Sequence, residues 1–368
     1  MFPGTRIALI PRSKDALDEK LIAADSYLEV THGNTSPLGL QGTGLQRALL
    51  WSTLSVMSGA SGSKKKPQPG ESPRILLIDE PEAFLHPPTI RGARESLYAF
   101  ALDNPDWQVI ATTHSPIFID LAKDHTTIIR VDSAPGERAH VISTDRVSFD
   151  AVERERLQMI RACNPVVNEF FFYDDIVLVE GATEQVALLH VARQLGREVH
   201  VINCLGKANL PLFARILNHF QVAYTVVHDA DTPFVKTRTG YRRNAMWTMN
   251  TSIRDTATAS GLGRVYAQFP HFEGEYFDEA IKSGKVDRVL RALAETDSAD
   301  HRQVVAAFEA ILRGDPERET SIHEAFDRRL AAHVARHALQ DDPLWSPARH
   351  DALAQDAVTA REVAPARD

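Results

Sequence analysis

The sequence predicts an α/β protein with two parallel sheets in succession and a helical C-terminal region. Three observations carry that expectation. Short apolar runs, RILLID (74–79), WQVIATT (107–113) and TTIIRVDS (126–133), alternate with helical stretches in the first half. The alternation restarts with DIVLVE (175–180), EVHVINC (198–204) and AYTVVHDAD (223–231). Runs that are continuously apolar mark strands covered on both faces, as parallel sheets are. From about residue 286 the chain turns charged and helical.

A chain of 368 residues has room for two cores, and 43% hydrophobic with 24% charged residues is ordinary for a globular protein. No apolar run approaches the ~18 residues that cross a bilayer. The start, MFPGTRIALIPRSKDALDEK, lacks the basic-then-apolar order and the small-residue cleavage site of a secretion signal. Cys163 and Cys204 form neither a CxxC pair nor a disulfide framework, so a cytoplasmic protein with reduced thiols is expected. A net charge of −8 excludes a surface that is basic throughout. It leaves room for a local basic patch and for carboxylates that hold metal.

Taken in order, residues 1–57 hold short apolar segments and the Gly-rich stretch GLQGTGLQRALLWSTLSVM. SGASGSKKKPQPGESP (58–73) cannot bury apolar surface and reads as a flexible loop. RILLID is a buried strand, PTIRGARESLYAFALDN (88–104) a helix, WQVIATT a second buried strand and TTIIRVDS a third. Residues 150–173 form a helical connector. The helices TEQVALLHVARQLG and LPLFARILNHFQ then separate the strands of the second sheet, giving two β–α–β repeats. The last ~20 residues are Ala-rich and polar, as a frayed tail would be.

ILLIDEPEAFLHP ends a buried strand in Asp79 and Glu80, at the edge of a parallel sheet where ligands sit. There a Walker B aspartate holds Mg²⁺ and the next glutamate polarises the attacking water in P-loop NTPases. WQVIATT runs into His114, resembling the switch histidine of ABC-type ATPases, and GLQGTGLQRALL resembles their signature motif. Gly42 and Gly44 present backbone N–H groups at a helix start, and Gln46 opens that helix, a suitable place for phosphate. The ordered trio is specific. No G-x-x-x-x-G-K-[ST] loop accompanies it; GSKKK and LGKANLP lack its spacing. The expectation is a piece truncated at its N-terminus, with an internal start or a degenerate ATPase as alternatives, and no ATP hydrolysis by this chain alone.

DDIVLVEGATEQVALL places Glu180 at a strand end, Gly181 in a tight turn and Glu184 on the following helix. VAYTVVHDADT ends in Asp229-x-Asp231, whose i and i+2 side chains face one way on extended backbone. Oxygen ligands without cysteine or paired histidine suit Mg²⁺ or Mn²⁺. Carboxylates packed this closely repel unless a cation neutralises them.

VLVEGATE, LGKANLP and VVHDADT, after the ATPase trio, resemble the OLD (overcoming lysogenization defect) family of nucleases, an ABC-type ATPase followed by a Toprim domain. The resemblance covers about residues 38–290. It implies nicking or cleavage of DNA by two metal ions, with ATP for the full-length ATPase and control by the ATPase and by dimerisation through it. It implies a role in phage defence or DNA repair, with a helicase as a candidate partner and no membrane. It makes Glu180, Glu184, Asp229 and Asp231 metal ligands, with Glu180 also moving a proton, and offers Glu273 in FPHFEGEYF for the second metal. Lys285 is the candidate for the family's Lys-Pro lysine, although Val286 replaces the proline, and Lys207 matches its Gly-Lys turn, where it would meet a phosphate. The expected domains are a C-terminal ATPase part (1–150), a connector (151–173), a Toprim nuclease domain (174–285) and a helical region (286–368).

Between 236 and 264 lie Lys236, Arg238, Arg242, Arg243, Arg254 and Arg264 with Tyr241 and Trp247 interleaved. Basic groups pair with phosphates and aromatics stack on unpaired bases. Because this segment follows the DxD directly, it is a candidate DNA contact, against the plainer reading of an exposed loop. His333 and His337 have helical ligand spacing without the accompanying Glu, and read as a solvated pair. The rival functions are an ATP-driven DNA-clamping scaffold with an inactive Toprim domain, and another Toprim enzyme such as a topoisomerase or primase.

Overall fold

A computed structural model describes residues 6–10, 27–60, 74–121, 123, 126–133, 138–144, 149–163, 167–238, 240–277 and 283–345. The expected loop at 61–73 and the tail from 346 lie outside them. The chain divides into two compact units, Met1–Thr126 and Thr127–Asp368.

In the first unit β1 (Arg6–Ile10), β2 (Tyr27–His32) and β3 (Asn34–Pro37) form an antiparallel sheet in that order. α1 (Thr43–Ala60) follows, then β4 (Arg74–Asp79), α2 (Pro87–Asp103) and β5 (Trp107–Thr112). α2 opens on two prolines, which need no backbone donor in a first turn. Its Ala93, Leu97 and Phe100 pack with Trp51 and Leu54 of α1 over Leu76, Ile78 and Val109 of the strands. Burying a side chain such as Phe100 contributes roughly 2–3 kcal/mol. β4 and β5 run parallel, pairing Asp79 with Thr112. Their other face leaves Ile75, Leu77 and Ile110 exposed, so strands expected to be covered on both sides are covered on one.

The second unit begins with β6 (Ile129–Asp132) and β7 (His140–Ser143). These pair antiparallel, so TTIIRVDS is a hairpin arm and does not extend the β4–β5 sheet. The residues at 133–139 are too few for a crossover, which takes about a dozen. α3 (Ala151–Cys163) and a 3₁₀ stretch (Val167–Phe172) follow within the same unit. Next come β8 (Ile176–Val179), α4 (Ala182–Gln194), β9 (His200–Asn203), α5 (Leu210–His219) and β10 (Tyr224–Asp229). β11 (Phe234–Thr237) and β12 (Gly240–Arg243) make a hairpin, followed by α6 (Ala245–Thr258), β13 (Gly263–Gln268) and the short α7 (Phe272–Tyr276). The described chain closes with α8 (Lys285–Ala294), α9 (Ala299–Arg313) and α10 (His323–Arg336).

β13, β10, β8 and β9 form one parallel sheet in that order. β8 and β9 are buried throughout, as their apolar runs require. Leu188 and Val191 of α4, Val289 and Leu293 of α8, and Val304 and Phe308 of α9 share a core with Val177 and Val179. A Cβ on Gly263 would stand 2.6 Å from the Ala257 carbonyl, so only glycine lets α6 close onto β13. Sequence order matters less here than sheet order. β8 and β10, separated by β9 in the chain, are immediate neighbours, and their C-terminal ends open side by side.

Candidate functional site

That shared edge carries the carboxylates. Glu180 follows β8 directly, and its Oε2 accepts from the Asp229 N–H at 3.3 Å. Gly181 caps α4, whose first turn carries the buried Glu184. Asp229 ends β10, and its Oδ1 accepts from the Phe272 N–H at 2.8 Å. α7, reached from the end of β13, brings in Glu273, which is 1% exposed. Lys285 donates to Glu273 at 2.9 Å, and His271 Nδ1 lies 3.1 Å from the same Oε2.

Burial raises Glu180 to about 7, with Asp231 and Glu184 adding repulsion against the opposing Lys207. Burial likewise raises Glu184, and it raises Asp229 well above its ordinary range, with Glu184 and Glu180 reinforcing the effect. Glu273 moves the other way. Burial would raise it, but hydrogen bonds from His271 and Lys285 bring it down to about 2. One Glu184 oxygen and one Glu273 oxygen are buried without a hydrogen-bond partner. An all-oxygen donor set with orphaned buried carboxylate oxygens fits a hard divalent cation. Among the described residues no three of these groups already share the distances of one coordination sphere. Side-chain ammonium groups stand against two of them instead, Lys207 at Asp231 and Lys285 at Glu273.

Lys207 sits differently from its expected place at a phosphate. Its side chain is 1% exposed and donates to Asp231 Oδ2 at 2.7 Å and to the Ala230 carbonyl at 3.2 Å. Asp231 adopts a left-handed backbone (φ 65°) beyond the end of β10, so Asp229-x-Asp231 is not the extended pair that was expected, and Asp231 is held by Lys207 instead. Lys285, with a half-exposed side chain, lies at the mouth of the cluster.

The basic segment is not a plain loop. β11 and β12 pair Lys236 with Tyr241 and Val235 with Arg242, so Lys236, Tyr241 and Arg243 share one face and Arg242 lies on the other. Arg238 is exposed at the tip, beside a Thr237 hydroxyl that donates to the Gly240 carbonyl at 3.0 Å. The base of the hairpin is pinned close to Asp231, with the Asn244 N–H donating to Pro233 at 2.9 Å. Trp247 and Arg254 belong to α6, not to the hairpin. Trp247 packs on Phe326 and Trp345, and Arg254 is buried over the Phe326 ring at 5.3 Å, so neither is available to a base. Trp247 and Arg254 fall on a helical repeat with an inward face, a pattern obscured by the basic composition. His333 is no freely solvated partner of His337, for its ring packs on Trp345 at 4.9 Å and on His337 at 4.7 Å.

In the first unit Asp79, Glu80 and His114 meet around the end of β4, while Gly42 and Gln46 have local partners at the start of α1. Thr112 donates to Asp79 Oδ1, and Glu80 Oε1 lies 3.5 Å from His114 Nε2. Glu80 is left-handed (φ 45°), which turns the chain sharply after the Walker B strand. Gly42 accepts from the Leu45 and Gln46 N–H groups as α1 begins. Gly44 leaves room for the Phe84 carbonyl, 3.0 Å from where a Cβ would stand. Arg47 of α1 donates to the Glu80 carbonyl at 2.6 Å, joining the signature-like turn to Walker B. The sequence reading passed over Glu82, which accepts from the Thr113 hydroxyl and the His114 N–H, both at 2.8 Å. Its place two residues beyond Glu80 in DEPEAF was the available signal.

A strand ending in Asp-Glu in one unit and a parallel sheet with a Glu/DxD rim in the other are features of an ATPase domain and of a Toprim domain respectively. Residues 10–119 match the AAA ATPase domain model, and residues 171–231 match the overcoming lysogenization defect protein-like TOPRIM domain. The chain thus joins an AAA ATPase domain to an OLD-like TOPRIM domain. It is 32% identical over 173 residues to an OLD nuclease of Thermus scotoductus, across 45% of this chain and 32% of that protein. It is 25% identical over 205 residues to the Old nuclease of Escherichia phage P2, across 52% of this chain and 33% of that protein. The chain therefore spans about a third of the length of these curated relatives. Glu273 and Lys285 lie beyond the matched TOPRIM segment. A solved SMC ATPase structure, at 17% identity, covers 43% of this chain and 83% of its own. Its TM-score of 0.25 leaves no shared fold to argue from. Among the described residues no helix is long and apolar enough to cross a membrane.

Proposed function

We propose that this chain hydrolyses phosphodiester bonds in DNA with the aid of Mg²⁺ or Mn²⁺, at the site formed by Glu180, Glu184, Asp229, Asp231 and Glu273. The observation that supports this best is the rim of β8 and β10, where four carboxylates crowd into a buried patch with an orphaned oxygen. Such crowding is costly without a cation to neutralise it. Two bound ions would supply Lewis-acid stabilisation of the attacking and leaving oxygens. Glu180 would also accept a proton from the attacking water. Lys207 fixes Asp231, while Lys285 orients Glu273 and lies at the entrance where a phosphate would arrive. Lys236, Arg238, Arg242 and Arg243 on the adjoining hairpin would grip the DNA backbone.

In the same reading residues 1–150 are an ATPase part, in which Gly42, Gly44, Gln46, Asp79, Glu80 and His114 would face nucleotide. Residues 151–173 connect it to a nuclease domain at 174–285, with the helical region at 286–368 beyond. Dimerisation through the ATPase part, a helicase partner, a cytoplasmic location and a role in phage defence or DNA repair belong to this proposal through the resemblance to OLD nucleases. Supercoiled plasmid tests the reaction class. The expected outcome with Mn²⁺ is nicked and then linear DNA. Relaxed closed circles would indicate a topoisomerase, and unchanged plasmid a clamping scaffold.

A further inference from the structure

We propose that Glu275 is a positioning residue for the metal ligand Glu273 and that, through Arg329, it ties the metal site to the C-terminal helical region. The inference rests on the metal-site reading above and adds a control point to it.

Glu273 and Glu275 share the one-and-a-half turns of α7 but point to different partners. Glu273 turns toward Lys285 and His271. Glu275 turns back toward the end of β13, where its Oε2 accepts from the Phe269 N–H at 2.7 Å. Its Oε1 accepts from Arg329 of α10 at 2.6 Å, with Arg318 at 3.8 Å. Arg329 is itself fixed, donating to the Arg318 carbonyl at 3.0 Å and lying 5.6 Å over the Phe269 ring. These are charge-assisted bonds between largely buried groups, the strong kind.

The other side of the same turn is fastened to the DxD strand. Ala230 N–H donates to Gln268 at 2.8 Å, Asp231 N–H to Pro270 at 2.6 Å, and Phe272 N–H to Asp229 Oδ1 at 2.8 Å. A Cβ on Gly274 would stand 2.9 Å from Pro270, so α7 folds tightly against this turn. The segment that presents Glu273 is therefore held between two grips. One belongs to the β10 ligands; the other belongs to a helix about fifty residues further along the chain. A group that acts only through Glu273 is distinct from a ligand, and its loss should weaken metal binding without removing a donor.

The test uses the whole 368-residue chain, with Mn²⁺ binding followed by calorimetry and plasmid nicking followed across Mn²⁺ concentrations. Glu275→Gln keeps the size of the side chain and an acceptor for Phe269. Arg329→Met removes the cation, and Arg329→Lys restores a charge without the fork. The expected result is that Glu275→Gln and Arg329→Met each weaken Mn²⁺ binding about tenfold. The double variant should lose no more than the weaker single, because one network is broken twice. Arg329→Lys should recover part of the loss, and saturating Mn²⁺ should restore the nicking rate. Folded variants with wild-type Mn²⁺ affinity, or losses that add in the double variant, would overturn the proposal. Wild-type protein that binds no Mn²⁺ would overturn it together with the metal-site reading. Wild-type protein that binds Mn²⁺ and does not cut DNA, with the variants still weakened, would remove the nuclease reading and leave the clamp standing.

Discussion

Glu180 shows how a single buried carboxylate reports on the site. Held near 7 by burial, it keeps a proton in the folded protein that the unfolded chain gives up near the ordinary value of 4.5. The stability this lends is complete below 4.5 and is lost as pH rises through 7. Metal-free wild-type protein should therefore lose about 5 °C more melting temperature between pH 5 and pH 8 than Glu180→Gln does, the variant cancelling every other titrating group. Mg²⁺ should raise the melting temperature more at pH 8, where the carboxylates are charged and free to bind it. Thermal scans in EDTA and in Mg²⁺ check this, and an identical rise at both values would contradict it. Lys207→Met should also destabilise the metal-free protein. It strips the cation from Asp231, and a loss of roughly 1–3 kcal/mol in metal-free protein is expected from chemical denaturation.

The proposed DNA contact rests on the β11–β12 hairpin. Arg242→Ala with Arg243→Ala should weaken DNA binding and lower its salt slope by about 2, since each phosphate contact releases nearly one counterion. Mn²⁺ affinity should not change. Anisotropy measured from low to high salt would decide it; a wild-type slope in the double variant makes the hairpin a bystander. This element also marks where the sequence was legible and where it was not. Strands β8, β9 and β10 were readable because burial on both faces leaves an uninterrupted apolar run, which put Glu180 and Asp229 at strand ends; the turn at Asp231 was not readable. The hairpin was hidden in a segment read as loop or basic patch, because its short strands are half polar. α6 was hidden for a related reason: its inward Trp247 and Arg254 resembled ligands for nucleic acid. TTIIRVDS misled in the other direction, since a hairpin arm with an apolar side looks like a parallel strand until its partner is known. Lys207 and Glu275 could not have been placed from sequence. Their roles depend on contacts made across 24 and 54 residues.

At the scale of the molecule the two units do separate physical work. The first gathers a Walker B edge, a switch-like histidine and a signature-like turn around one strand end. The second sets a carboxylate rim on a four-stranded parallel sheet, with helices α8 to α10 bracing it. Its central claim is that this rim holds divalent cations for cutting DNA. The most direct measurement is plasmid nicking in Mn²⁺ by wild-type protein and by Asp229→Ala, paired with thermal melts of both. The account predicts that Asp229→Ala still folds cooperatively in EDTA, relief of carboxylate repulsion offsetting part of the lost Phe272 N–H bond. It also predicts that nicking falls about a hundredfold or more. Well-folded Asp229→Ala protein that nicks plasmid at the wild-type rate would contradict the account.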